Sequence, residues 1–200
     1  MQRRTTLRLV LWGLVVVAAG AAGIGWFVTD RQGERTVAST AAGLVGGPFR
    51  LVDPAGEVVS DESLRGRPFA VFFGFTHCPD VCPTSLWEMS TWIDALGDDA
   101  ERLGFLFVTV DPERDTPEVM GAYVGSFSDR IVGLTGDRAS VDEVIKGYRV
   151  YARKIPLEGD DYTMDHSAMV YLMDENGAYS SHISFGTPPE RAVEMLRTLL

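Results

Sequence analysis

Two nearly uninterrupted apolar runs, Phe69–Phe75 and Leu103–Val110, are the strongest hydrophobic features of the chain after its amino-terminal end. Runs of this kind are typical of strands that are covered on both faces of a parallel sheet. Pro83 fits the first turn of a helix between them, and that helix is predicted to continue to about Leu96 and to end at Gly97. The order strand, helix, strand predicts a right-handed crossover.

The pattern also predicts two hairpins and several shorter elements. One hairpin covers 48–60, and the other joins strands 168–173 and 179–184 through a turn at Asp174-Glu-Asn-Gly177. The remaining predicted elements are a helix over 117–127 capped by Thr116, a strand over 131–134, a helix over 140–147 capped by Ser140, a strand over 148–155, a loop over 156–165 and a closing helix over 188–200. Alternating elements followed by an antiparallel hairpin and a helix predict an α/β fold, a thioredoxin-like sandwich.

The amino-terminal end contains a candidate transmembrane anchor. Leu9–Val28 is 20 residues long and uncharged, which is enough to span about 30 Å of hydrocarbon as a helix. Arginines precede it and Asp30 follows it, which predicts a cytoplasmic segment 1–8 and a domain on the far side of the membrane. Residues 29–47 are rich in small and polar residues and are predicted to be a flexible linker.

These boundaries leave residues 48–200 as the globular domain. A cleaved signal peptide is the alternative to a retained anchor, because the Ala- and Gly-rich stretch 18–25 and residues 38–42 offer small-residue cleavage sites. Both interpretations export the domain. We expect a bacterial inner membrane, crossed once, with the domain facing the periplasm or the exterior.

Composition and charge exclude some classes of function. The hydrophobic fraction of 46% indicates a chain that can build a core. Three of the 18 basic residues precede the predicted anchor, so the remainder carries 15 basic residues against all 28 acidic ones, a net charge of −13. An acidic domain repels phosphate and offers no counterion release, and therefore no nucleic-acid partner is expected.

The chain has two cysteines, Cys78 and Cys82, and they follow the first buried strand directly. We expect Cys78 in the loop that leads to the helix and Cys82 at the helix cap, so that both sulfurs share one mouth. The positive end of a helix lowers the pKa of a nearby thiol, which favours metal ligation or thiol exchange. Two thiolates favour soft ions such as Cu(I), which accepts two or three ligands where a structural zinc site needs four.

Three histidines are available to complete a metal site. His77 adjoins the cysteines but is expected to point away from them, and His182 is expected on the surface of the second hairpin. His166 precedes the strand at 168, which, if antiparallel to the two buried strands, begins at the sheet edge where those strands end. His166 would then face the cysteines. A capping or surface role is the alternative for a single histidine.

Three segments together resemble the Sco/SenC copper-chaperone family. They are Gly-Phe-Thr-His-Cys-Pro-Asp-Val-Cys-Pro-Thr at 74–84, Val-Asp-Pro-Glu-Arg-Asp-Thr-Pro at 110–117 and Asp-His-Ser-Ala-Met-Val-Tyr-Leu at 165–172. The resemblance implies copper, Cu(I) or Cu(II), as the bound metal and Cys78, Cys82 and His166 as its ligands. It also implies a thioredoxin-like fold and a role in building the binuclear copper centre of cytochrome c oxidase. The expected partners are the oxidase subunit with that centre, a copper donor protein and a thiol reductant. The resemblance leaves the role of Asp111–Asp115 open.

Other functions are compatible with the same thiol pair. Cys78 and Cys82 could form a redox pair in a thiol-disulfide oxidoreductase that reduces the cysteines of an acceptor. Against general reductase activity, three residues rather than two separate the cysteines, and no proline precedes the strand at 168. A peroxidase would need a supporting arginine, and none is evident beside Cys78 in the sequence. A disulfide with a purely structural role would close too short a loop to add much stability.

Overall fold

The computed structural model describes residues 45–200 of the chain. The predicted anchor 9–28, the cytoplasmic segment 1–8 and most of the linker 29–47 lie outside the described residues and stay predictions. Within residues 45–200, none of the helices combines the length and the apolar character that a membrane crossing requires.

A five-stranded mixed sheet forms the centre of the domain. Its strands are β3 (Phe69–Gly74), β4 (Gly104–Thr109), β5 (Ile131–Leu134), β8 (Met169–Met173) and β9 (Tyr179–Ser184), in the spatial order β5-β4-β3-β8-β9. β3, β4 and β5 are parallel, whereas β8 is antiparallel to both β3 and β9. β8 therefore begins at the edge where β3 and β4 end, which confirms the arrangement expected from the sequence.

Helices and two small hairpins complete the domain. The helices are α1 (Val81–Leu96), a 3₁₀ helix (Gly97–Arg102), α2 (Pro117–Gly125), α3 (Arg138–Gly147) and α4 (Pro189–Arg197). One hairpin pairs β1 (Arg50–Val52) with β2 (Val58–Ser60), and the other pairs β6 (Ala152–Pro156) with β7 (Tyr162–His166). The β6–β7 hairpin is a two-stranded sheet of its own.

The core lies between the sheet and the helices that cover it. Every residue of β3 is buried, which explains why its sequence is apolar without alternation. α1 buries Leu86, Met89, Trp92, Ile93 and Leu96 along one stripe, at the spacing of three and four residues that one helix face requires. Each such side chain stabilises the fold by about 1.5–3 kcal/mol through burial. The core thus fixes the start of α1, where the cysteines lie, against the end of β3.

Four sequence predictions are wrong in detail. α1 begins at Val81 with Asp80 as its N-cap, so Cys82 lies in the first turn rather than at the cap. The N-cap of α3 is Asp137 rather than Ser140, because a carboxylate oxygen of Asp137 accepts a hydrogen bond of 2.7 Å from the Ser140 amide. The strand predicted at 148–155 begins only at Ala152, since Tyr148 ends α3.

The fourth error concerns the loop predicted over 156–165, because its last four residues belong to strand β7 and Pro156 belongs to β6. β7 pairs antiparallel with β6, from Pro156 opposite Tyr162 to Ala152 opposite His166. Both strands are exposed or only partly buried on both faces, so they lack the alternation of apolar and polar residues that marks a half-buried strand. The hairpin matters for the site because His166 is the last residue of β7.

Candidate metal centre

Cys78, Cys82 and His166 come together at the edge of the sheet where β3 and β4 end. One ligand atom from each of these residues lies within 4.8 Å of the other two. Among the described residues, no other group of three or more His, Cys, Asp or Glu side chains meets this geometry. Cys82 is buried, whereas Cys78 and His166 are partly exposed, so the cluster can be reached from solvent on one side.

The turn between β3 and α1 positions the two thiols. The amide of Cys78 donates to the carbonyl of Phe75 at 3.3 Å, and the amide of Cys82 donates to Cys78 Sγ at 3.4 Å. The Cys78 sulfur thus accepts a hydrogen bond from one of the amide groups that have no partner within the first turn of a helix. Asp80, the N-cap residue, makes no side-chain capping bond of its own. The three-residue spacing is what allows Cys78 to reach back to the start of α1.

His166 reaches the thiols from the other side of the site. Its Nε2 lies 3.3 Å from Cys82 Sγ, and its Nδ1 lies 3.0 Å from the carbonyl oxygen of Ser167. Because a carbonyl can only accept, Nδ1 carries a proton and Nε2 presents its lone pair towards the sulfurs. The imidazole ring contacts Phe72 and Phe75 edge-on, with centroids 6.1 and 5.7 Å apart. These contacts orient the ring for ligation through Nε2.

The two thiols differ in acidity. The hydrogen bond from the Cys82 thiol, together with weaker bonds from backbone amides, lowers the pKa of Cys78 well below its ordinary value, and burial only partly opposes this shift. The same bond, burial and the nearby charge of Cys78 raise the pKa of Cys82. One thiolate is therefore formed easily and is the exposed one, whereas the buried partner keeps its proton until a cation replaces it.

Gly74, the last residue of β3, is a site residue that the sequence did not identify. A Cβ atom added at this position would lie 2.6 Å from Cys82 Sγ and 2.8 Å from a ring carbon of Phe107. Glycine is thus required because the Cys82 sulfur packs directly against the backbone of β3 and leaves no room for a side chain. The signal was a glycine that ends an otherwise bulky buried strand, which marks a close approach of another group.

The loop after β4 reaches the cysteine turn through Asp115. This carboxylate is buried and accepts hydrogen bonds of 2.6 Å from the hydroxyl groups of Thr76 and Thr109, as well as a bond from the Thr76 amide. Burial raises the pKa of Asp115, and the bonds from the two threonines partly oppose that rise. The sequence marked 111–115 as a motif but did not indicate what it contacts.

The other two histidines lie where the sequence predicted. His77 is exposed, and its Nδ1 lies 3.1 Å from the hydroxyl of Thr76. His182 is also exposed and hydrogen-bonds to Tyr179 on β9. Neither belongs to the Cys-Cys-His cluster. The cluster therefore consists of the three residues expected from the sequence, and their role as metal ligands stays a prediction.

Fold and site together define a class: thioredoxin-like α/β domains with a Cys-Cys-His group that could hold copper. The chain matches the SCO1/SenC family over residues 37–200 and belongs to that family. One solved structure with this fold, BsSco, is 23% identical and is a member of the Sco family of cytochrome c oxidase assembly proteins. The thioredoxin-like fold predicted from the sequence is thereby confirmed.

Individual relatives agree with this assignment. The chain is 36% identical over 155 residues to an SCO2-like protein of Rickettsia prowazekii, an alignment that covers 76% of each chain. The solved structure of copper-bound ScoI from Bradyrhizobium japonicum is 50% identical, with a TM-score of 0.74, and the match covers 78% of this chain and 99% of that one. Copper-bound yeast Sco1 is 35% identical, with a TM-score of 0.71 and coverage of 77% and 87%.

Proposed function

We propose that this chain binds copper through Cys78, Cys82 and His166 and delivers it to, or prepares, the binuclear copper site of cytochrome c oxidase. The observation that carries the proposal is the convergence of two sulfurs and one imidazole nitrogen within 4.8 Å at an accessible edge of the domain. Membership in a family of oxidase assembly proteins, and copper in two of the solved relatives, support the same function.

The donor set suits copper better than the other common metals. Thiolate sulfur and imidazole nitrogen are preferred by Cu(I), and the same donors also accept Cu(II). Structural zinc is almost always held by four ligands, and within residues 45–200 only these three side chains form such a group. The free Nε2 lone pair of His166 and the readily formed thiolate of Cys78 are the forms that a metal ion requires.

Partial exposure of the site supports transfer rather than permanent storage. Cys78 and His166 can be approached from solvent, whereas Cys82 is 0% exposed. An acceptor could therefore replace the two outer ligands first while Cys82 still holds the ion. A copper donor protein would load the site, and a thiol reductant would keep both cysteines reduced, because a disulfide cannot ligate copper.

Substitution of His166 tests the copper site directly. We expect His166→Ala to weaken Cu(II) binding by about 10-fold or more, the size usual for a lost ligand or its support, and to abolish the thiolate-to-Cu(II) absorption band. The matched control is His77→Ala, which removes an exposed imidazole next to Cys78 and should leave affinity and spectrum unchanged. Wild-type affinity and spectrum in His166→Ala would refute the assignment of the third ligand.

A second candidate function is reduction of acceptor disulfides. It is favoured by a partly exposed thiol of lowered pKa beside a buried thiol, with both cysteines free. The Cys78 thiolate would attack the acceptor disulfide, and Cys82 would then displace the acceptor by forming the Cys78–Cys82 disulfide. The acceptor gains two electrons and two protons, and a thiol reductant restores the pair.

A strain that carries His166→Ala in place of the wild-type gene separates the two functions. This variant lacks the imidazole but keeps both thiols. Copper delivery predicts low oxidase activity that added copper restores, whereas disulfide reduction predicts nearly normal activity. Cys82→Ser, which disables both functions, sets the lower limit of the assay.

We also propose that residues 9–28 retain the domain at the bacterial inner membrane, facing the periplasm or the exterior, with 29–47 as its tether. The uncharged length of 9–28 supports this proposal. The full chain should stay in the membrane pellet after a carbonate wash, and its domain should be digested by protease added to spheroplasts. Release of the chain by the wash would indicate a cleaved signal peptide.

A further inference from the structure

We propose that the loop Asp111–Asp115 is a positioning bridge that sets the distance between His166 and the two cysteines. The proposal rests on the copper-binding function proposed above. One end of the loop holds the segment that leads to the cysteines, and the other end holds the β6–β7 hairpin that carries His166. The loop itself contributes no member of the Cys-Cys-His cluster. Its residues would therefore act by holding the ligands in place and not by binding the metal.

Three side chains form the contact between the loop and β7. Arg114 Nε donates to Asp111 at 2.5 Å, and Tyr162 donates its hydroxyl proton to the other oxygen of Asp111 at 2.8 Å. Arg114 Nη1 also donates to the Tyr162 carbonyl at 3.0 Å, and its guanidinium carbon lies 3.7 Å from the centre of the Tyr162 ring. Each of the three residues therefore contacts both others, and we call this set the hairpin clamp.

A second contact ties β6 to the same loop. Lys154 Nζ lies 2.7 Å from a carboxylate oxygen of Glu113 and 3.6 Å from the centre of the Tyr162 ring. This ion pair is about half exposed and is worth little alone. Its effect is to place a cation from β6 against the same ring that the loop arginine contacts, so both strands of the hairpin are attached to one loop.

Burial makes the hairpin clamp more than a surface ion pair. The side chain of Asp111 is only 3% exposed and that of Arg114 19% exposed. Charged hydrogen bonds in such surroundings are stronger than those between neutral groups. Removing one partner would leave the other buried and unpaired, which is costly. Burial and the bond to Asp111 raise the pKa of Tyr162 to about 12, so its hydroxyl keeps the proton that it donates.

The opposite end of the loop holds the cysteine turn. Asp115 accepts hydrogen bonds from the hydroxyl and the amide of Thr76, which lies two residues before Cys78. Thr109 anchors the same carboxylate to the end of β4. The loop thus bonds through Asp115 to the segment that carries the cysteines, and through Asp111, Glu113 and Arg114 to the hairpin that carries His166. The distance between those segments is then fixed by one short piece of backbone.

The hairpin needs such support because its own structure is weak. β6 and β7 pair with each other and not with the central sheet, and a two-stranded hairpin is marginally stable at best in water. Beyond β7, Ser167 exchanges hydrogen bonds with Tyr151, which holds the base of the hairpin. The hairpin clamp fixes the hairpin near its other end, at Tyr162. Without it, the strand that carries His166 would be held by its base, by the packing of Met164 against the core and by the ring contacts of His166 itself, with nothing to fix its far end.

The test uses Tyr162→Phe, which removes the hydroxyl but keeps the ring, and Arg114→Met, which removes the cation. Arg191→Met is the matched control, because it removes an ion pair of 2.6 Å on the exposed face of α4. We expect both clamp variants to lower Cu(II) affinity, Arg114→Met by about 10-fold, a size typical for supports of a metal ligand. Thermal unfolding of each variant confirms that the domain stays folded.

A double-mutant cycle with His166→Ala identifies the route of the effect. In the His166→Ala background, Arg114→Met should change Cu(II) affinity by less than about 2-fold, because the group that it positions is gone. Equal losses in both backgrounds would show a general structural effect and would overturn the proposal.

Amide hydrogen exchange of the metal-free protein provides a readout that does not depend on copper. Amides of 162–166 should exchange several-fold faster in both clamp variants than in wild type or Arg191→Met. Unchanged exchange overturns the bridge even if copper binding stands. Failure of the wild-type protein to bind copper would instead overturn the proposed function, and faster exchange in the clamp variants would still support the bridge.

Discussion

The close approach of Gly74 to the Cys82 sulfur gives a prediction whose size follows from the structure. In Gly74→Ala the new methyl carbon would lie 2.6 Å from Cys82 Sγ and 2.8 Å from a Phe107 ring carbon. Non-bonded carbon atoms prefer separations of about 3.5–4.0 Å, so each neighbour must move by roughly 1 Å. Neither can move freely, because Cys82 and Phe107 are both 0% exposed.

Two consequences are expected from this displacement. Overpacking a close-packed core costs about 1–3 kcal/mol, which corresponds to a fall in melting temperature of roughly 2–12 °C for a domain of this size. A binding site also tolerates displacements of only about 0.5 Å, so a shift of Cys82 by twice that amount should lower copper affinity by about 10-fold or more. Calorimetry of the metal-free variant and a copper competition titration measure the two effects separately.

Gly125→Ala is the matched control for this substitution. Gly125 ends α2, and a Cβ atom there would have no neighbour within 4 Å. Alanine is favoured over glycine in a helix, so stability should stay the same or rise slightly. The reasoning is refuted if Gly74→Ala keeps both the melting temperature and the copper affinity of the wild type, since the sulfur would then have room that the structure denies it.

Two further predictions concern thiol chemistry and helix capping. Because its pKa is lowered, Cys78 in the metal-free, reduced protein should react with iodoacetamide almost equally fast at pH 8 and pH 6, whereas the reaction of the unfolded chain should slow by roughly 10-fold for each pH unit. Peptide mass spectrometry should find the buried Cys82 unmodified. A rate at Cys78 that falls with pH as for an ordinary thiol would contradict the lowered pKa. Asp137→Ala should lower the melting temperature by about 2–4 °C, because the Ser140 amide at the start of α3 loses its acceptor. Ser140→Ala should change the melting temperature little, and a larger fall in Ser140→Ala than in Asp137→Ala would identify Ser140 as the cap.

The central sheet and two of the three candidate ligands were predictable because short segments encode them. The apolar run 69–75 identifies β3 by itself. Cys78 and Cys82 follow this run directly, which places them at the edge of the sheet where β3 ends. The placement of His166 needed one further assumption, that β8 runs antiparallel to β3, and the structure confirms it. The inferences about β3 and the two cysteines depend on residues that are close in sequence, whereas the one about His166 depends on the pairing of distant strands.

The caps show a different limit. Asp137 and Ser140 are three residues apart, and both residue types are good N-caps. The sequence offers two starts for α3, and only the observed hydrogen bond from the Ser140 amide to Asp137 decides between them. At α1 the expected cap was Cys82, but the observed N-cap is Asp80, and the Cys82 amide in the first turn donates a hydrogen bond to Cys78 Sγ. Choices of this kind depend on about one hydrogen bond and cannot be made from residue types alone.

The surroundings of the ligands could not be predicted because they depend on contacts between distant residues. Arg114 and Tyr162 are 48 residues apart, and Gly74 approaches Cys82 through a turn whose path the sequence does not specify. The β6–β7 hairpin has no apolar period, since only Ala152 and Met164 among the apolar residues of its two strands pack against the core and the loop 111–115 supplies the other contacts. The motif at 111–115 had no evident role in the sequence because its contacts are also with distant residues. Its three acidic side chains bond to Tyr162, Lys154 and Thr76, and none of these partners stands near it in the chain. The thiols are thus fixed mainly by local backbone bonds, whereas the imidazole depends on long-range contacts, and a description of the site must include both.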